Sequence, residues 1–299
     1  MDDSDPARFE ELRPRLQRLA YRLLGSVAEA EDVVQDAFLR WAAADRDQIQ
    51  VDAAWLSTVT TRLALDRLRS ASVARTDYVG PWLPEPMLEA PDSDAPDYAI
   101  NRAEDVSTAL LLVLERLAPT ERAAFLLHES FDMSHADIAN ALGLSEAGSR
   151  QMVHRARERV RSEKQRFEVD PKTQRDLVAR YAKALIARDT LGVAALLAPD
   201  VVLLNDGGGH AGAARNPIEG AAHVTRLFDG INRKNKSVTF QIMQVNGEPG
   251  VVHFIGETVF AVDTLRIEDG RIAAVYRQMN PYKLTRTASM PRTPDSSAA

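Results

Sequence analysis

The stretch DIANALGLSEAGSRQMVHRARERV, residues 137–160, has the pattern of two helices joined by a tight turn. Gly143 tolerates the backbone conformation that ends a helix, and Ser145 carries a hydroxyl that can cap the next one. Ala139 is small where the two helices must cross closely. The stretch therefore predicts a helix-turn-helix, whose second helix can present its exposed face to the major groove of DNA.

The outward face of that second helix is rich in groups that contact nucleic acid. Met152, Val153 and Ala156 supply its inward stripe, whereas Gly148 and Ser149 are weak helix formers where an apolar contact is expected. Arg and Gln can each form two hydrogen bonds with a base edge, and Arg also neutralises phosphate. The alternative is an ordinary solvated basic face, because basic helices are common. The outward residues are Arg150, Gln151, His154, Arg155, Arg157 and Arg159.

The basic helix stands in an acidic chain, whose formal net charge is −6 over 299 residues. Exposed charges act over a Debye length of roughly 8–10 Å, so one basic face can hold DNA whatever the total charge. The remaining acidic surface then limits non-specific binding. The length allows two or three small domains, each with its own core.

Composition and patterning exclude several classes of protein. The chain has no cysteine, which excludes disulfide and thiolate chemistry, and its six histidines show no HxxxH or HExxH spacing. We therefore expect no metal site and no cofactor. The acidic start MDDSDPARFEE is unlike a signal peptide, and no apolar run approaches the roughly 18 residues that span a bilayer. These features predict a cytoplasmic protein without a membrane segment.

Changes of periodicity divide the chain into five segments. Amphipathic helical patterns fill 1–75 and 104–166, and the proline-rich, acidic segment 76–103 between them reads as a linker. Helical patterns followed by β-branched strands predict an α+β domain with one curved antiparallel sheet over 170–285. The tail 286–299 is expected to be disordered. The fold class is thus multidomain: two all-α helical domains plus an α+β domain.

The helix AEDVVQDAFLRW, residues 30–41, has two different faces. Val33, Val34, Ala37, Phe38 and Trp41 form its apolar stripe. A polar patch points the other way and offers acidic groups to a partner or to solvent. It consists of Glu31, Asp32 and Gln35.

The linker contains an apolar cluster, YVGPWLPEP at 78–86, that does not suit a free segment. An exposed Trp82 beside Leu83 would be unfavourable unless covered. We expect this turn to pack on a neighbouring domain.

These motifs together resemble a known family. AEDVVQDAFLRW followed by AWLSTVTTRLALDRLR is similar to region 2 of an extracytoplasmic-function (ECF) sigma factor, and LAPTERAAFLLHES followed by the helix-turn-helix is similar to region 4. NDGGG and NPYKL resemble motifs of a SnoaL-like (NTF2-like) domain. GPWLPEP is a signature of the sigma factors that carry such an extension, the SigJ type. Tyr282 stands where that subgroup has aspartate, so a contact made by that carboxylate is not available here.

The resemblance implies partners for each surface. Glu31, Asp32 and Gln35 would dock on core RNA polymerase, although plain solvated helix residues are the alternative. Arg62 and Arg69 would help to capture the melted −10 element of promoter DNA, with Asp66 as the structural partner of a nearby arginine. On the basic helix, the residues that would read or clamp the −35 duplex are Arg150, Gln151, His154, Arg155 and Arg157.

For the C-terminal domain, the resemblance implies modulation of the sigma regions rather than catalysis. Composition alone offers Tyr181, Asp206, His210 and Asp263 as proton-transfer candidates, but we expect no enzyme. A docking role, or the sensing of an unidentified small ligand, is favoured. We predict that the apolar linker cluster docks near the glycines and the NPYKL motif. The residues of this predicted contact are Trp82, Leu83, Pro84, Asp206, Gly207, Gly208, Gly209, Asn280, Pro281 and Lys283.

Three interpretations therefore remain. The first is an alternative sigma factor that directs polymerase to specific promoters and is modulated by its own C-terminal domain. The second is a fusion whose C-terminal domain is a ligand-handling enzyme of isomerase or cyclase type. The third is a helix-turn-helix regulator independent of polymerase. The acidic face of residues 30–41 favours the first over the third, because a plain repressor has no use for it.

Overall fold

The computed structural model describes residues 4–45, 48–76, 78–89, 107–167, 169–210, 212–234 and 237–286. The predicted tail beyond residue 286 and the linker residues 90–106 lie outside these ranges. The chain divides into two compact units, Met1–Asp77 with Leu110–Gln165 and Tyr78–Ala109 with Arg166–Ala299.

The first unit is helical. Its elements are α1 (Ser4–Leu24), α2 (Val27–Ala42), α3 (Asp52–Thr76), α4 (Thr108–Glu115), α5 (Pro119–Phe131), α6 (His135–Leu142) and α7 (Glu146–Phe167). Helix α4 begins in the second unit and continues into the first. The helix-turn-helix predicted from residues 137–160 is formed by α6 and α7.

An aromatic cluster holds the first three helices together. Phe9 lies 4.7 Å from Phe38 and 6.0 Å from Trp41 between ring centroids, and Trp41 is fully buried. The indole N–H of Trp41 donates to Asp52 Oδ1 over 3.1 Å, which ties α2 to the start of α3. The apolar stripe predicted on α2 is confirmed, because its members are buried or half-buried.

A buried arginine joins α5 to the end of α1. The Arg122 guanidinium donates to the carbonyl of Leu23 and forms an ion pair with Glu115 at 2.8 Å. Burial lowers the pKa of Arg122 to about 10, so the side chain stays charged at neutral pH. Its removal would leave the Leu23 carbonyl and the Glu115 carboxylate without this partner.

Within its described residues, the second unit contains three helices and a seven-stranded sheet. The helices are α8 (Pro171–Ile186), α9 (Thr190–Leu196) and α10 (Ala221–Lys234). The strands are β1 (Leu88–Glu89), β2 (Leu197–Asp206), β3 (Ile218–Glu219), β4 (Val238–Val245), β5 (Glu248–Ile255), β6 (Thr258–Glu268) and β7 (Arg271–Gln278), in the order β1-β4-β5-β6-β7-β2-β3. A short 3₁₀ turn, Pro281–Lys283, follows β7.

Two features of this sheet correct the sequence prediction. The sheet is mixed rather than antiparallel, because β2 runs parallel to β7. Hairpins fix antiparallel pairing only between consecutive strands, and no hairpin joins β2 to β7. In addition, the linker is not free of secondary structure, because Leu88 and Glu89 form an edge strand against Val245 and Gln244 of β4. No periodicity in the linker predicts this two-residue strand.

Each face of the sheet has its own core. Tyr181 and Leu185 of α8, with Val201 of β2 and Val275 of β7, belong to the core on the helix-covered face. Val245, Val252, Phe254, Val262 and Leu284 belong to a separate core, against which Leu88 of the linker packs. Side chains alternate between the two faces along a strand, so successive residues of β2 point to opposite faces of the sheet. The same holds for β7.

One carboxyl at the start of β5 makes the second unit sensitive to pH. Burial raises the pKa of Glu248 to about 7, although Gln174 of α8 donates a hydrogen bond that opposes the shift. The folded state therefore favours the protonated form more than the unfolded state does. The stability that Glu248 contributes is present below its ordinary pKa and is lost as pH rises towards 7.

We predict that Glu248→Gln, which imitates the protonated carboxyl, stabilises the protein at pH 8 by about 1–3 kcal/mol. At pH 5 the gain should be smaller, because the wild-type carboxyl is already protonated when folded. Denaturant unfolding at both pH values checks this, with the exposed Glu257→Gln as the control. An equal effect of Glu248→Gln at the two pH values would contradict the assignment.

Candidate functional site

Helix α7 follows α6 through a tight turn whose residues perform the roles that the sequence predicts. Gly143 has a left-handed backbone with φ of 69° and ends α6. Ser145 Oγ then accepts the Gly148 N–H over 3.0 Å at the start of α7. A Cβ atom at position 148 would lie 3.0 Å from this oxygen, so glycine leaves room for the cap. Gly148, although a weak helix former, is therefore explained by the space that the Ser145 cap needs.

At position 149, the expectation of an apolar contact is wrong, because a serine occupies a buried site there. Ser149 is fully buried, and its Oγ lies 3.4 Å from His135 Nδ1 of α6. The His135 ring in turn stacks on His128 of α5, with 4.7 Å between centroids. Ser149 thus begins a buried stripe of α7 that continues through Val153, Ala156 and Val160.

The outward face of α7 divides into a central part and two flanks. Gln151, His154 and Arg155 are exposed and make no ion pair within the described ranges. Arg150 is paired with Glu146, one turn earlier in the same helix, and Arg157 with Glu129 of α5. Arg159 pairs with Glu121 at 3.1 Å. All five predicted residues are solvent-exposed, but only the central three have fully available side chains.

On α2, the predicted polar patch is exposed opposite the aromatic cluster. Asp32 and Gln35 are exposed, whereas Glu31 is half-buried. Arg67 of α3 reaches this face and lies 3.2 Å from Asp32 and 3.5 Å from Asp36. The patch is therefore a charged surface anchored at one edge by an arginine that sequence reasoning missed.

On α3, the two predicted arginines have partners inside the first unit. Arg62 donates to the carbonyls of Ala141 and Asn140 at the end of α6, over 2.8 and 3.0 Å. A cation at a helix C-terminus compensates its unpaired carbonyls and the negative end of its dipole. Arg69 pairs with Asp66 at 2.9 Å, as expected for that aspartate.

In the second unit, the Asp206 carboxylate binds the linker. It is fully buried and accepts five hydrogen bonds. Oδ1 accepts from the Tyr78 hydroxyl (2.5 Å) and from Gly208 N (3.1 Å). Oδ2 accepts from Leu83 N (2.8 Å), Gln278 Nε2 (3.2 Å) and Lys283 Nζ (2.8 Å). We call this arrangement of Tyr78, Leu83, Asp206, Gln278 and Lys283 the linker clamp.

The linker clamp also binds linker carbonyls and rings. Lys283 Nζ donates to the Leu83 carbonyl over 2.6 Å and lies 4.4 Å from the centroid of the Trp82 ring. Gln278 Nε2 donates to the carbonyls of Leu83 and Pro84. Leu83 and Pro84 are buried and Trp82 is half-buried. The structure thus brings together the linker cluster, the glycine loop and the NPYKL motif.

The glycine loop and the NPYKL motif fit each other closely. Gly208 and Gly209 have φ of 56° and 76°, which disfavours other residues. A Cβ atom at Gly208 would collide with the side-chain amide of Asn280, and one at Gly209 would approach Val79. Gly207 accepts the turn hydrogen bond from His210 N. Asn280 Nδ2 donates to the Tyr78 hydroxyl over 2.9 Å.

The remaining residues of the motif shape its turn. Pro281 begins the 3₁₀ turn, and Asn280 Oδ1 caps it by accepting the N–H of Tyr282. The Tyr282 ring is exposed and meets the His210 ring edge to face at 4.9 Å. The residue that replaces the subgroup's aspartate therefore makes a ring contact with the glycine loop.

A cavity of about 220 Å³ opens on the helix-covered face of the sheet. Its walls are mainly apolar and include Phe228, Phe240 and Phe260. Asn205, His253 and Arg277 contribute polar groups. Two of the four proton-transfer candidates, Tyr181 and Asp263, contact each other behind Arg277. The other two lie elsewhere: Asp206 belongs to the linker clamp and His210 to the glycine loop.

The charges behind this cavity neutralise each other. Arg277 binds Asp263 through two hydrogen bonds of 2.7 and 2.6 Å, and the Tyr181 hydroxyl donates to the same carboxylate over 2.8 Å. Burial alone would raise the pKa of Asp263, but Arg277 and then His253 hold it well below its ordinary range. Burial and Asp263 raise the pKa of Tyr181 well above its usual value. Asp263 is therefore a poor proton acceptor, and sequence reasoning missed both Arg277 and His253.

None of the helices described is long and apolar enough to cross a membrane. Within the same residues, no group of three or more His, Cys, Asp or Glu side chains could hold a metal ion.

Comparison with known families defines the class. The profile of Sigma-70 region 2 matches residues 8–73, that of Sigma-70 region 4 matches 107–160, and that of the SnoaL-like domain matches 178–275. The helical unit with its helix-turn-helix therefore corresponds to the two sigma regions, and the curved-sheet unit to the SnoaL-like domain.

Full-length relatives narrow the class further. The chain is 39% identical over 288 residues to the ECF RNA polymerase sigma factor SigJ of Mycobacterium tuberculosis, covering 93% of this chain and 92% of that protein. It is 31% identical to the probable ECF sigma factor SigI of the same species, covering 95% and 97%. The crystal structure of M. tuberculosis SigJ matches with a TM-score of 0.74 and 36% identity, over 93% of this chain and 98% of that one.

The chain belongs to the ECF RNA polymerase sigma factors that carry a C-terminal SnoaL-like domain. Its full-length relatives are sigma factors, and the protein is not an enzyme. Membership in this family favours the sigma-factor interpretation over the enzyme fusion and over the polymerase-independent regulator.

We predict that Asp206→Asn loosens the linker, because it removes the ion pair with Lys283 and one acceptor in a site without water access. Chymotrypsin should cut after Trp82 about five- to 150-fold faster than in the wild type, as expected for a loss of about 1–3 kcal/mol in local stability. Asp200→Asn, at an exposed position on the same strand, is the control. Equal cleavage rates in all three proteins would show that Asp206 does not hold the linker.

Proposed function

We propose that the protein directs core RNA polymerase to specific promoters and that its own C-terminal domain modulates this activity. The proposal rests chiefly on one observation. A helix-turn-helix with an exposed basic face and a helix with an exposed acidic patch occur in one ECF sigma-factor chain. The partners follow from the family: core polymerase and promoter DNA.

We propose that α7 reads the −35 element with the middle of its outward face. The residues that contact base edges in this proposal are Gln151, His154 and Arg155, because none of them has to break an ion pair before it binds DNA. Arg150 and Arg157, oriented by Glu146 and Glu129, are better placed to bind the phosphates on either side. This division of roles follows from the ion pairs and could not be made from the sequence.

The division predicts different phenotypes along one helix. Gln151→Ala should weaken binding to the promoter by about 1–3 kcal/mol and relax specificity at one position, with little change on random DNA. Arg157→Ala should weaken binding to all sequences alike and flatten the salt dependence. Titration of labelled −35 duplexes at several salt concentrations measures both effects. Parallel losses on specific and random DNA in the two variants would refute the assignment.

We propose that the acidic patch on α2 docks on core polymerase. Asp32 and Gln35 are exposed on a helix whose other face is fixed by Phe38 and Trp41, so the patch is rigid. Its partner must offer basic or hydrogen-bonding groups to a short stretch of helix. Arg67, which bridges Asp32 and Asp36, holds the carboxylates in place before docking.

The double variant Asp32→Ala, Gln35→Ala should bind core polymerase about tenfold or more weakly, since charge-assisted contacts at an interface are lost. The helical circular dichroism should not change, because neither side chain is buried. Glu10→Ala, which removes an exposed acid from α1, serves as the control. Unchanged affinity of the double variant would place the docking face elsewhere.

For the −10 element, we propose Arg62 and Arg69 as DNA contacts on α3. Both are exposed, and Arg69 forms an ion pair with the equally exposed Asp66. Arg62 must first release the carbonyls of Ala141 and Asn140. The Arg62 side chain can therefore either contact the −10 element or support the end of α6, but not both at once.

We also propose that the domain boundaries lie at 1–75, 76–103, 104–166 and 170–285. The three family profiles fall inside the corresponding segments. The linker clamp then acts on the segment that connects the two sigma regions along the chain, and this is how we propose that the C-terminal domain modulates them. A small ligand of that domain would act through the same contact.

A further inference from the structure

The cavity on the helix-covered face contains a buried polar atom that lacks a partner among the described residues. Asn205 is 5% exposed, and its Oδ1 forms no hydrogen bond. His253 Nε2, by contrast, lies 3.0 Å from Asp263 Oδ2 and belongs to the buried network of that carboxylate. A buried polar atom without a partner destabilises the folded state, so its retention points to a partner that enters from outside.

The size and walls of the cavity limit what that partner can be. The cavity encloses about 220 Å³, whereas an engineered apolar cavity of about 150 Å³ admits benzene. Three phenylalanines, Phe228, Phe240 and Phe260, line it. The space and the walls therefore fit one ring with a small substituent.

The electrostatics limit the charge of the ligand. Arg277 is the buried cation of the lining, and its Nε and Nη2 both donate to Asp263, whose carboxylate balances its charge. Burial lowers the pKa of His253, which favours the neutral imidazole. Arg188 also lines the cavity, but it is exposed and donates to the Asn232 carbonyl. A charged ligand would lose its hydration without gaining a buried counter-ion.

The register of the sheet connects this cavity to the linker clamp. Asn205 of β2 pairs with Arg277 of β7 on the cavity face. The next residues, Asp206 and Gln278, pair with each other and point to the opposite face. Both are members of the linker clamp. A change in the position of the Asn205 side chain therefore acts on a strand end whose next residue holds the linker.

We propose that the cavity binds a neutral, ring-sized molecule that carries a hydroxyl group, and that its occupancy is transmitted to the linker clamp through Asn205 and Asp206. The ligand hydroxyl donates to Asn205 Oδ1, and the ring packs on the phenylalanine walls. Binding fixes the end of β2 and so tightens the hold of Asp206 on Leu83 N. The inference rests on the proposal that the C-terminal domain takes a small ligand.

The first test compares three probes on the full-length protein by calorimetric titration: phenol, toluene and benzoate. Phenol and toluene have nearly the same size but differ in the hydroxyl, and benzoate adds a charge. Phenol should bind at least about fivefold more tightly than toluene and about tenfold more tightly than benzoate. Equal binding of phenol and toluene, tightest binding of benzoate, or no binding of phenol up to about 10 mM would overturn the proposal.

Two variants locate the hydroxyl contact. Asn205→Val should abolish the preference for phenol over toluene. Asn232→Val should retain it, because the Asn232 amide is already bonded to Thr190 and to the Arg188 carbonyl. A preference that survives Asn205→Val would reject Asn205 as the acceptor. Should Asn205→Val fail to fold, the three probes on the wild type still decide the ligand class.

The second test measures transmission to the linker by amide hydrogen exchange. Saturating phenol should slow exchange of the Leu83 amide by about threefold or more, since that N–H donates to Asp206. The Met87 amide, which donates to Asn246 instead, is the internal control. Phenol binding without any change at Leu83 would reject the coupling. Neither test uses polymerase or DNA, so their failure is distinguishable from failure of the promoter and polymerase assays.

Discussion

The buried carboxylate of Asp206 is the constraint on which the arrangement of the second unit depends. An ionised group without access to water is tolerated only when its lone pairs are filled and its charge is balanced. Lys283 supplies the charge, and four further donors fill the remaining positions. Two of the donors, Tyr78 and Leu83, belong to the linker. The domain therefore satisfies its own buried charge only while the linker is in place.

That requirement explains why three distant motifs occur together in one chain. The glycine loop must turn away from Asn280 and Val79, the NPYKL turn must deliver Lys283, and the linker must present the Leu83 N–H and carbonyl. Each motif taken alone is an ordinary loop. Their common function is the coordination of one carboxylate, and this coordination attaches a SnoaL-like domain to the segment between two sigma regions.

The parts of the protein that follow a local periodicity could be predicted from sequence. The α2 stripe ending at Trp41, the Gly143 and Ser145 turn and the outward face of α7 all follow from helical spacing and capping. The parallel pairing of β2 with β7 and the edge strand at Leu88 could not be predicted, because they depend on contacts between residues far apart in the chain. Ser149 was unpredictable for the same reason, since its partner His135 belongs to the preceding helix.

Site residues show the same limit. Outward residues on α7 were identifiable as a set, but their division into paired and available side chains depends on Glu129, which lies on another helix. Arg277 and His253 carry no local motif and become visible only when the sheet places them beside Asp263. The glycine and NPYKL motifs, with Asp206 among their residues, were identifiable through family resemblance, whereas the role of Asp206 as the shared acceptor of Tyr78, Leu83 and Lys283 required the structure.

The most direct test of this account is a double-mutant cycle between Asp206 and Lys283, measured as the free energy of unfolding of the full-length chain. The variants are Asp206→Asn, Lys283→Met and their combination. Because the pair is buried and shares the Leu83 contacts, we expect a coupling energy of about 1–3 kcal/mol. Additive effects, within about 0.5 kcal/mol, would show that the two side chains act independently and that the carboxylate does not organise the linker.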